Sequence, residues 1–438
     1  MAILTQEEAK TIIDKVLRLS KADETKVELN GGRSGNIRFA RNSVSTSGAT
    51  NNLSLSVTVV ISKRVGTSDI NEFDDASLEK AVRRAEEMAR LAPENPEYMP
   101  MPGPQTYSKP QAFVDTTASM KAPDRARLAG ASIKSIMASQ LSGAGFLEDS
   151  SSFNAIGNNK GLFGYHKNTG ANFSLTIRTP DGTGSGYAAG DFNDVSKLDT
   201  GSLTDVAIQK ARASQKAMAL EPGKYTVILE PMAAGELINF MINAMDARTA
   251  DEGRSFLGKK GGGTRLGEKL LDERVTIYSD PTDPQIPSSP FSSDGYPHEK
   301  VVWFEKGVVK NMSYSPFWAK QKGVKPLPQP SGFVMEGGTQ SLAELIKGTE
   351  KGILVTRFWY TRWLDPQTLL YTGLTRDGTF FIDNGQIKHP VKNFRFNESP
   401  VIMLNNLEAL GKPVRTRGNM VPPMRIRDFT FSSLSDAV

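Results

Sequence analysis

The chain has 438 residues, 38% apolar and 23% charged, which is enough for two ordinary domains with buried cores and fits a soluble globular protein. Its 53 Lys and Arg stand against 48 Asp and Glu; the resulting net charge of +5 is too small and too scattered to argue for nucleic acid. Cysteine is absent, which excludes disulfides, thiolate metal ligands and a cysteine nucleophile.

The N-terminal stretch MAILTQEEAKTIIDKVLRLS reads as an amphipathic helix with acidic residues, so neither a signal nor a transit peptide is expected. Thr5 and Glu8 have the spacing of a capping box, and Ala9, Ile12, Ile13, Val16 and Leu17 make the apolar stripe. Strands follow in NIRFARN and in LSLSVTVVIS, where Leu53, Leu55, Val57, Val59 and Ile61 alternate. DDASLEKAVRRAEEMARLA predicts a second helix with Leu78, Ala81, Val82, Ala85 and Met88 on one face. Prolines crowd the stretch 93–110, an extended connector.

Beyond the connector the order repeats: a helix over about 123–141, strands, and a helix over about 202–219. LSLSVTVVISKRVGTSD is echoed by NFSLTIRTPDGTGSGYA. The echo is short enough for chance to produce, so an internal helix–strands–helix duplication and a coincidence both stay open. Residues 1–220 are expected to form an N-terminal α+β domain.

At residue 225 the texture changes. In YTVILEPMAAGELINFMINAM, Tyr225 to Leu229 reads as a buried strand, and Pro231 sits in the first turn of a helix carrying Leu237, Ile238, Met241, Ile242 and Met245. Strands and hairpins dominate from there, with turns at Lys306-Gly307 and Asn384-Gly385. TQSLAELIKG is a short helix with Ser341 and Glu344 as its capping box. Residues 221–438 are expected to be a strand-rich, barrel-like domain with a few helices, giving an α+β protein overall. No run reaches the ~18 apolar residues of a membrane span, and a cytoplasmic setting is expected.

Candidate chemistry is sparse. The three histidines, His166, His298 and His389, lie far apart in sequence. His298-Glu299 begins like a zinc-protease helix, but Val302 stands where the second histidine is needed, and Pro297 makes a surface turn the simpler reading. The same holds for His389 before Pro390. In GKKGGGTRLGEK, Gly258 and Gly263 have P-loop spacing, yet Thr264 occupies the lysine position and Leu266 breaks the dinucleotide pattern. A mobile surface loop is expected there. Asp280, Asp283 and Asp294 lack EF-hand spacing and suit Asx-turns. Arg415, Arg417, Arg425 and Arg427 read as a solvated basic face. Glu230 and Glu236 flank the helix start without a histidine or cysteine nearby. The residues alone show no catalytic constellation.

Several blocks taken together resemble the TldD/PmbA family, formerly called modulators of DNA gyrase. They are NIRFARNSVSTSG, DASLEKAVRRAEEMARLAP, LGEKLLDERVTIYSDPTDP, FSSDGYPHEKVVWFEKGVVKNMSYS, AELIKGTEKGILVTRFWY, LYTGLTRDGTFFIDNGQIKHPVKNFRF and RGNMVPPMRIRDF. The resemblance implies a TldD-type subunit with an HExxxH zinc motif and a cysteine ligand, acting on flexible peptides, and a PmbA-type subunit without them. Here Pro231 and Met232 replace His-Glu, Glu236 replaces the second histidine, and Leu410 falls at the cysteine. Zinc needs about three protein ligands, so no metal cofactor and no catalytic residue are expected in this chain. The resemblance further implies a homodimer or a heterodimer with a TldD-type subunit, and a peptide held at a strand edge. The segment Gly258, Gly261, Gly262, Gly263 and Gly267 is the candidate peptide contact. Two alternatives stand beside this reading: an active hydrolase using His298 and Glu299, and a partner of DNA or a topoisomerase.

Overall fold

The computed structural model describes residues 3–435. Helix α1 (Gln6–Leu19) starts on the expected capping box: Thr5 Oγ1 accepts from the Glu8 amide, and the Glu8 carboxylate accepts from the Thr5 amide. Ala9, Ile13 and Val16 are buried against strand β1 (Glu24–Ala40) and the strand 142–158 beside it, and helix α2 (Asp75–Leu91) covers β2 (Ser43–Ile61) and β3 (Arg64–Ile70) to complete the unit. Leu78, Ala81, Val82 and Ala85 point inward as predicted, whereas Met88 is 45% exposed and Ala89 takes its place. The reason is steric. A Cβ on Gly66 of β3 would collide with the Ala85 carbonyl and the Ala89 amide, so α2 lies with its backbone directly on the strand and only alanine fits.

The same arrangement follows again. After the connector and a short helix α3 (Asp115–Ala118) come α4 (Ala122–Ala138), β4 (Ser142–Asn158), β5 (Phe163–Arg178), β6 (Ser185–Phe192) and α5 (Thr200–Ala213). The echoed sequences occupy the second and third strands of each unit. Gly186 on β6 meets the Ala207 carbonyl and Ala211 amide of α5 as Gly66 meets α2. Both units therefore use a glycine under an Ala-x-x-x-Ala helix face. Their strands join in one antiparallel sheet, β3-β2-β1-β4-β5-β6, with β1 and β4 paired from Lys26↔Asn158 to Phe39↔Gly145. Each unit has its own apolar core.

In the rest of the chain, β7 (Gly223–Leu229) leads into α6 (Pro231–Asn243) and α7 (Ala247–Asp251). Strands β8 (Ile277–Ser279), β9 (Val301–Glu305) and β10 (Val308–Val309), helix α8 (Pro316–Lys322), β11 (Val334–Met335) and α9 (Leu342–Lys347) follow. Then come β12 (Lys351–Asp365), β13 (Leu370–Asp383), β14 (Gln386–Pro390), β15 (Phe394–Glu398), α10 (Pro400–Asn405) and β16 to β19 (Leu407–Leu410, Val414–Thr416, Asn419–Val421, Met424–Leu434). Both predicted hairpin turns form, with positive φ at Lys306-Gly307 and at Asn384-Gly385. The fold is α+β, as expected. Strands β12-β7-β19-β15-β13 close into a five-stranded barrel through the β12–β13 pairing, and β10-β9-β8-β11-β18-β17 make a second, smaller sheet. Helix α6 packs on β12, β17 and β18, with Ala233, Ala234, Leu237, Ile238 and Met241 fully buried. Among the described residues no helix is long and apolar enough to cross a membrane.

Overpacking at a helix–sheet contact costs about 1–3 kcal/mol. Gly66→Val is expected to lower the urea midpoint accordingly, while Gly130→Ala, in the exposed interior of α4 with nothing within 4 Å of the new Cβ, should hold or raise it.

Candidate peptide cleft at the β7–α6 junction

The end of β7 is fixed on both sides. Leu229 pairs with Val355 of the parallel strand β12, and the Glu230 amide donates to the Val355 carbonyl at 3.1 Å. Glu230 is the N-cap residue of α6, yet its carboxylate does not cap the helix. It accepts instead from Lys210 Nζ of α5, 2.7 Å from each oxygen, and from the Thr356 hydroxyl at 3.2 Å. A bulge sets that geometry: Val355 pairs with Thr379 and Arg357 with Arg376, so Thr356 faces two residues, Asp377 (φ 55°) and Gly378 (φ 127°).

Met232 and Glu236, one turn apart on the outer face of α6, line a cleft of about 330 Å³. The opposite wall is Arg357, Trp359 and Tyr360 of β12, and the end wall is Thr416, Arg417 and Asn419 of the β17–β18 hairpin. Glu236 Oε2 is 3.3 Å from Arg417 Nη1, and the Thr416 hydroxyl lies 3.7 Å from the Met232 sulfur. A second register break, between Trp359 and Arg362, carries Tyr360 at φ 57°, and Trp359, Tyr360, Trp363 and Leu364 emerge 45%, 62%, 65% and 55% exposed. The sequence signal for these residues was the run RFWYTRWL, whose aromatic and basic side chains follow neither strand nor helix periodicity.

The donor set does not suit zinc. Pro231 offers no side-chain donor, Met232 a thioether, Thr416 a neutral hydroxyl, and the Glu236 carboxylate already faces Arg417. Among the described residues no group of three or more His, Asp or Glu could hold a metal ion. Leu410 ends β16 opposite Met424 of β19 and is not on the cleft wall. The glycine segment folds back on itself: Gly261, Gly262, Gly263 and Gly267 have φ of 97°, 106°, 81° and 81°, the Lys259 amide donates to the Gly263 carbonyl, and Lys259 pairs with Glu268 at 2.6 Å. None of these glycines, nor Gly258, lines the cleft.

The histidines do not meet. His166 is buried on β5. His298 is half-buried rather than on the surface, its Nδ1 2.9 Å from the Ser289 carbonyl oxygen, and burial lowers its pKa. His389 stacks on Phe381 at 5.2 Å. Of the C-terminal arginines, Arg417 and Arg427 are exposed, ion-paired with Glu236 and Asp428, whereas Arg415 and Arg425 are partly buried against Asp191 and Glu408. Asp280 and Asp283 accept from the amides two residues on, as Asx-turns do.

Three family models match in order: the PmbA/TldA metallopeptidase domain 1 over residues 27–89, its central domain over 102–220, and its C-terminal domain over 222–433. The chain belongs to the PmbA/TldD family. Similar relatives are a metalloprotease of Archaeoglobus fulgidus, 36% identical over 44% of this chain and 46% of that one, and Metalloprotease PmbA of Escherichia coli O157:H7, 24% identical over 37% of each. The chain thus spans about half or less of these curated relatives. TldE from Thermococcus kodakarensis has the same fold, with a TM-score of 0.87, 17% identity and coverage of 97% and 99% of the two chains. A Thermotoga maritima protein described as a candidate modulator of a DNA gyrase gives a TM-score of 0.87, 18% identity and coverage of 98% and 100%. In this PmbA/TldD chain the first turn of α6 carries Pro231 and Met232, and Glu236 follows one turn on.

Burial without a counter-charge pushes the His166 pKa down to about 4. The unfolded chain takes up this proton near the ordinary 6.5, so between those values the unfolded state holds more protons and stability falls as pH falls. His166→Asn is expected to flatten that decline, on the order of 1 kcal/mol per pH unit, in urea titrations from pH 6.5 to 4. An unchanged slope would show that His166 does not carry it.

Proposed function

We propose that this chain is a PmbA-type, non-catalytic member of a peptide-handling metalloprotease system, supplying one wall of a cleft in which an extended, flexible peptide lies. The observation that carries the reading is the state of the two acids beside α6. Glu230 is held by Lys210, and Glu236 faces Arg417, so neither is free to bind a metal or to take a proton from water. The cleft itself suits a peptide. Trp359 and Tyr360 give an apolar wall, while Asn239, Asn419 and Arg417 give donors that can meet backbone carbonyls.

The exposed Trp359, Tyr360, Trp363 and Leu364 at the outer end of β12 support the second part of the proposal, a protein partner that covers this ribbon. That partner is a TldD-type subunit or another copy of this chain. In the first case the metal chemistry belongs to the partner, and this chain holds substrate for it.

Elemental analysis of the purified chain is expected to find far less than one zinc per chain, and an unfolded casein substrate to stay intact over hours with or without added zinc. About one tightly held metal per chain, with hydrolysis abolished by a chelator, would overturn the proposal. Co-purification from the native host, read by mass spectrometry, separates a TldD-type partner from a second copy.

A further inference from the structure

Strand β2 is long and its outer neighbour β3 is short. Over residues 55–61 β2 lies between β1 and β3, from Leu55↔Ile70 to Ile61↔Arg64, but over 43–54 it pairs with β1 alone. Among the described residues no backbone group is hydrogen-bonded to the outer edge of that segment, and Ser43 to Asn52 are exposed without a break. About 40 Å of strand therefore presents a row of open amides and carbonyls.

The second unit has the same overhang, and there it is covered. β5 is the counterpart of β2, and its residues 163–170 likewise run past the end of β6, whose pairing begins at Ala171. The connector lies along this stretch. The Thr169 amide donates to the Ala112 carbonyl, the Val114 amide donates to the Thr169 hydroxyl, and Lys167 stands 4.0 Å over the Phe113 ring. Thr169 is buried as a result. Among the described residues no segment does this for β2.

The composition of the open edge selects its occupant. Such edges are ordinarily guarded by charged side chains, proline or a bulge. The segment SVSTSGATNNLS has no charged residue and no proline, and its one register shift, opposite Arg38-Phe39, lies at the turn end. Its centre is Gly48-Ala49. A twofold axis there sets the strand antiparallel to its own copy, with the smallest residues meeting at the axis and the hydroxyls and amides of Ser, Thr and Asn facing one another on either side. No like charges meet in that arrangement, and it satisfies the outer edges of both copies at once. The segment also begins beside the ribbon assigned to a partner above: Ala40 and Arg41 at the β1–β2 turn line a hollow of about 480 Å³ together with Trp359.

We infer that residues 43–54 of β2 form a contact between two copies of this chain, joined antiparallel about a twofold axis near Gly48-Ala49, so that their N-terminal sheets run on as one. This rests on the partner part of the reading above, where it selects the second copy, and not on the peptide-holding part.

Light scattering of the full chain at micromolar concentration is expected to give twice 47.7 kDa. Ala49→Lys and Ala49→Glu each place like charges near the axis and are expected to raise the dimer Kd by about tenfold or more, and mixing the two variants to restore the dimer. Position 49 is exposed, so unchanged urea midpoints are expected and separate a lost contact from misfolding. The chain has no cysteine, so Ala49→Cys carries a single thiol. A short bismaleimide is expected to link two such chains, and to leave Ile402→Cys, 51% exposed on α10, unlinked. A mass of one chain overturns the inference. A dimer that Ala49→Lys leaves intact also overturns it, while leaving the aromatic ribbon as the covered surface. A monomer that binds an unstructured, fluorescein-labelled peptide and loses it in Ala49→Lys overturns it too, because the edge then belongs to the peptide. Peptide binding is expected to persist in Ala49→Lys, which keeps a failure here distinct from a failure of the α6 cleft.

Discussion

The contact on which the junction of the two halves depends is the buried ion pair between Asp377 and Arg357. Its acid accepts a hydrogen bond from Ser185 on the N-terminal sheet and two from Arg357 on the barrel, with essentially no solvent reaching it. Taking two charges out of water costs several kcal/mol per ion unless the geometry satisfies them fully. Here the geometry is supplied by a β-bulge: Asp377 and Gly378 share the space opposite Thr356, and the left-handed φ of Asp377 turns its carboxylate out of the ladder toward the sheet. One extra residue in β13 thus gives Asp377 its partner and frees the Thr356 hydroxyl for Glu230.

Two further polar contacts join the halves beside the α6 cleft, and others, among them Arg248 with Glu97 and Lys26 with the Ser293 carbonyl, join them elsewhere. Lys210 reaches from α5 to Glu230, and Asp191 at the end of β6 accepts from Arg415 and from the Gly418 amide of the β17–β18 hairpin. All three lie around the α6 cleft. Polar contacts at the rim of the cleft thus help to hold sheet and barrel together, beside an apolar contact of Tyr107, Ile156 and Leu162 with Phe291. Polar contacts of this kind are directional, and they lose their energy when a partner is left unpaired.

Much of the local structure was legible in the sequence because it follows from local chemistry. Thr5 with Glu8 and Ser341 with Glu344 did form capping boxes, and Lys306-Gly307 and Asn384-Gly385 did turn hairpins, since each depends on a few adjacent residues. The repeat of helix, strands and helix was visible as an echo, but its cause was not. Gly66 and Gly186 matter because helix backbones lie on them, and no periodicity in DASLEKAVRRAEEMARL distinguishes Met88 from Ala89 as the inward residue. The barrel was legible only as a wealth of strands. Its closure needs the parallel pairing of Val227 to Leu229 with Ile353 to Val355, more than a hundred residues later, and no local pattern encodes a partner at that distance. The cleft walls at Trp359, Tyr360 and Arg417 were missed for the same reason.

The division of labour on α6 explains how a catalytic motif can be absent while the fold around it persists. Ala233, Ala234, Leu237, Ile238 and Met241 are buried against β12, β17, β18 and α10, and they carry the packing energy of the helix. Met232 and Glu236 face the cleft, so substitutions there remove no core contact. Pro231 sits at the first helical position, where its missing amide hydrogen would have been unpaired in any case. Gly235 is the exception on that turn: a Cβ would come within 3.2 Å of Val421, so the close approach of the β17–β18 hairpin requires a small residue. The helix can therefore lose metal ligands without losing stability, whereas the hairpin that forms the end wall of the cleft cannot be displaced as cheaply. The peptide-holding reading proposed above needs only this combination, an intact cleft with Glu236 in an ion pair with Arg417.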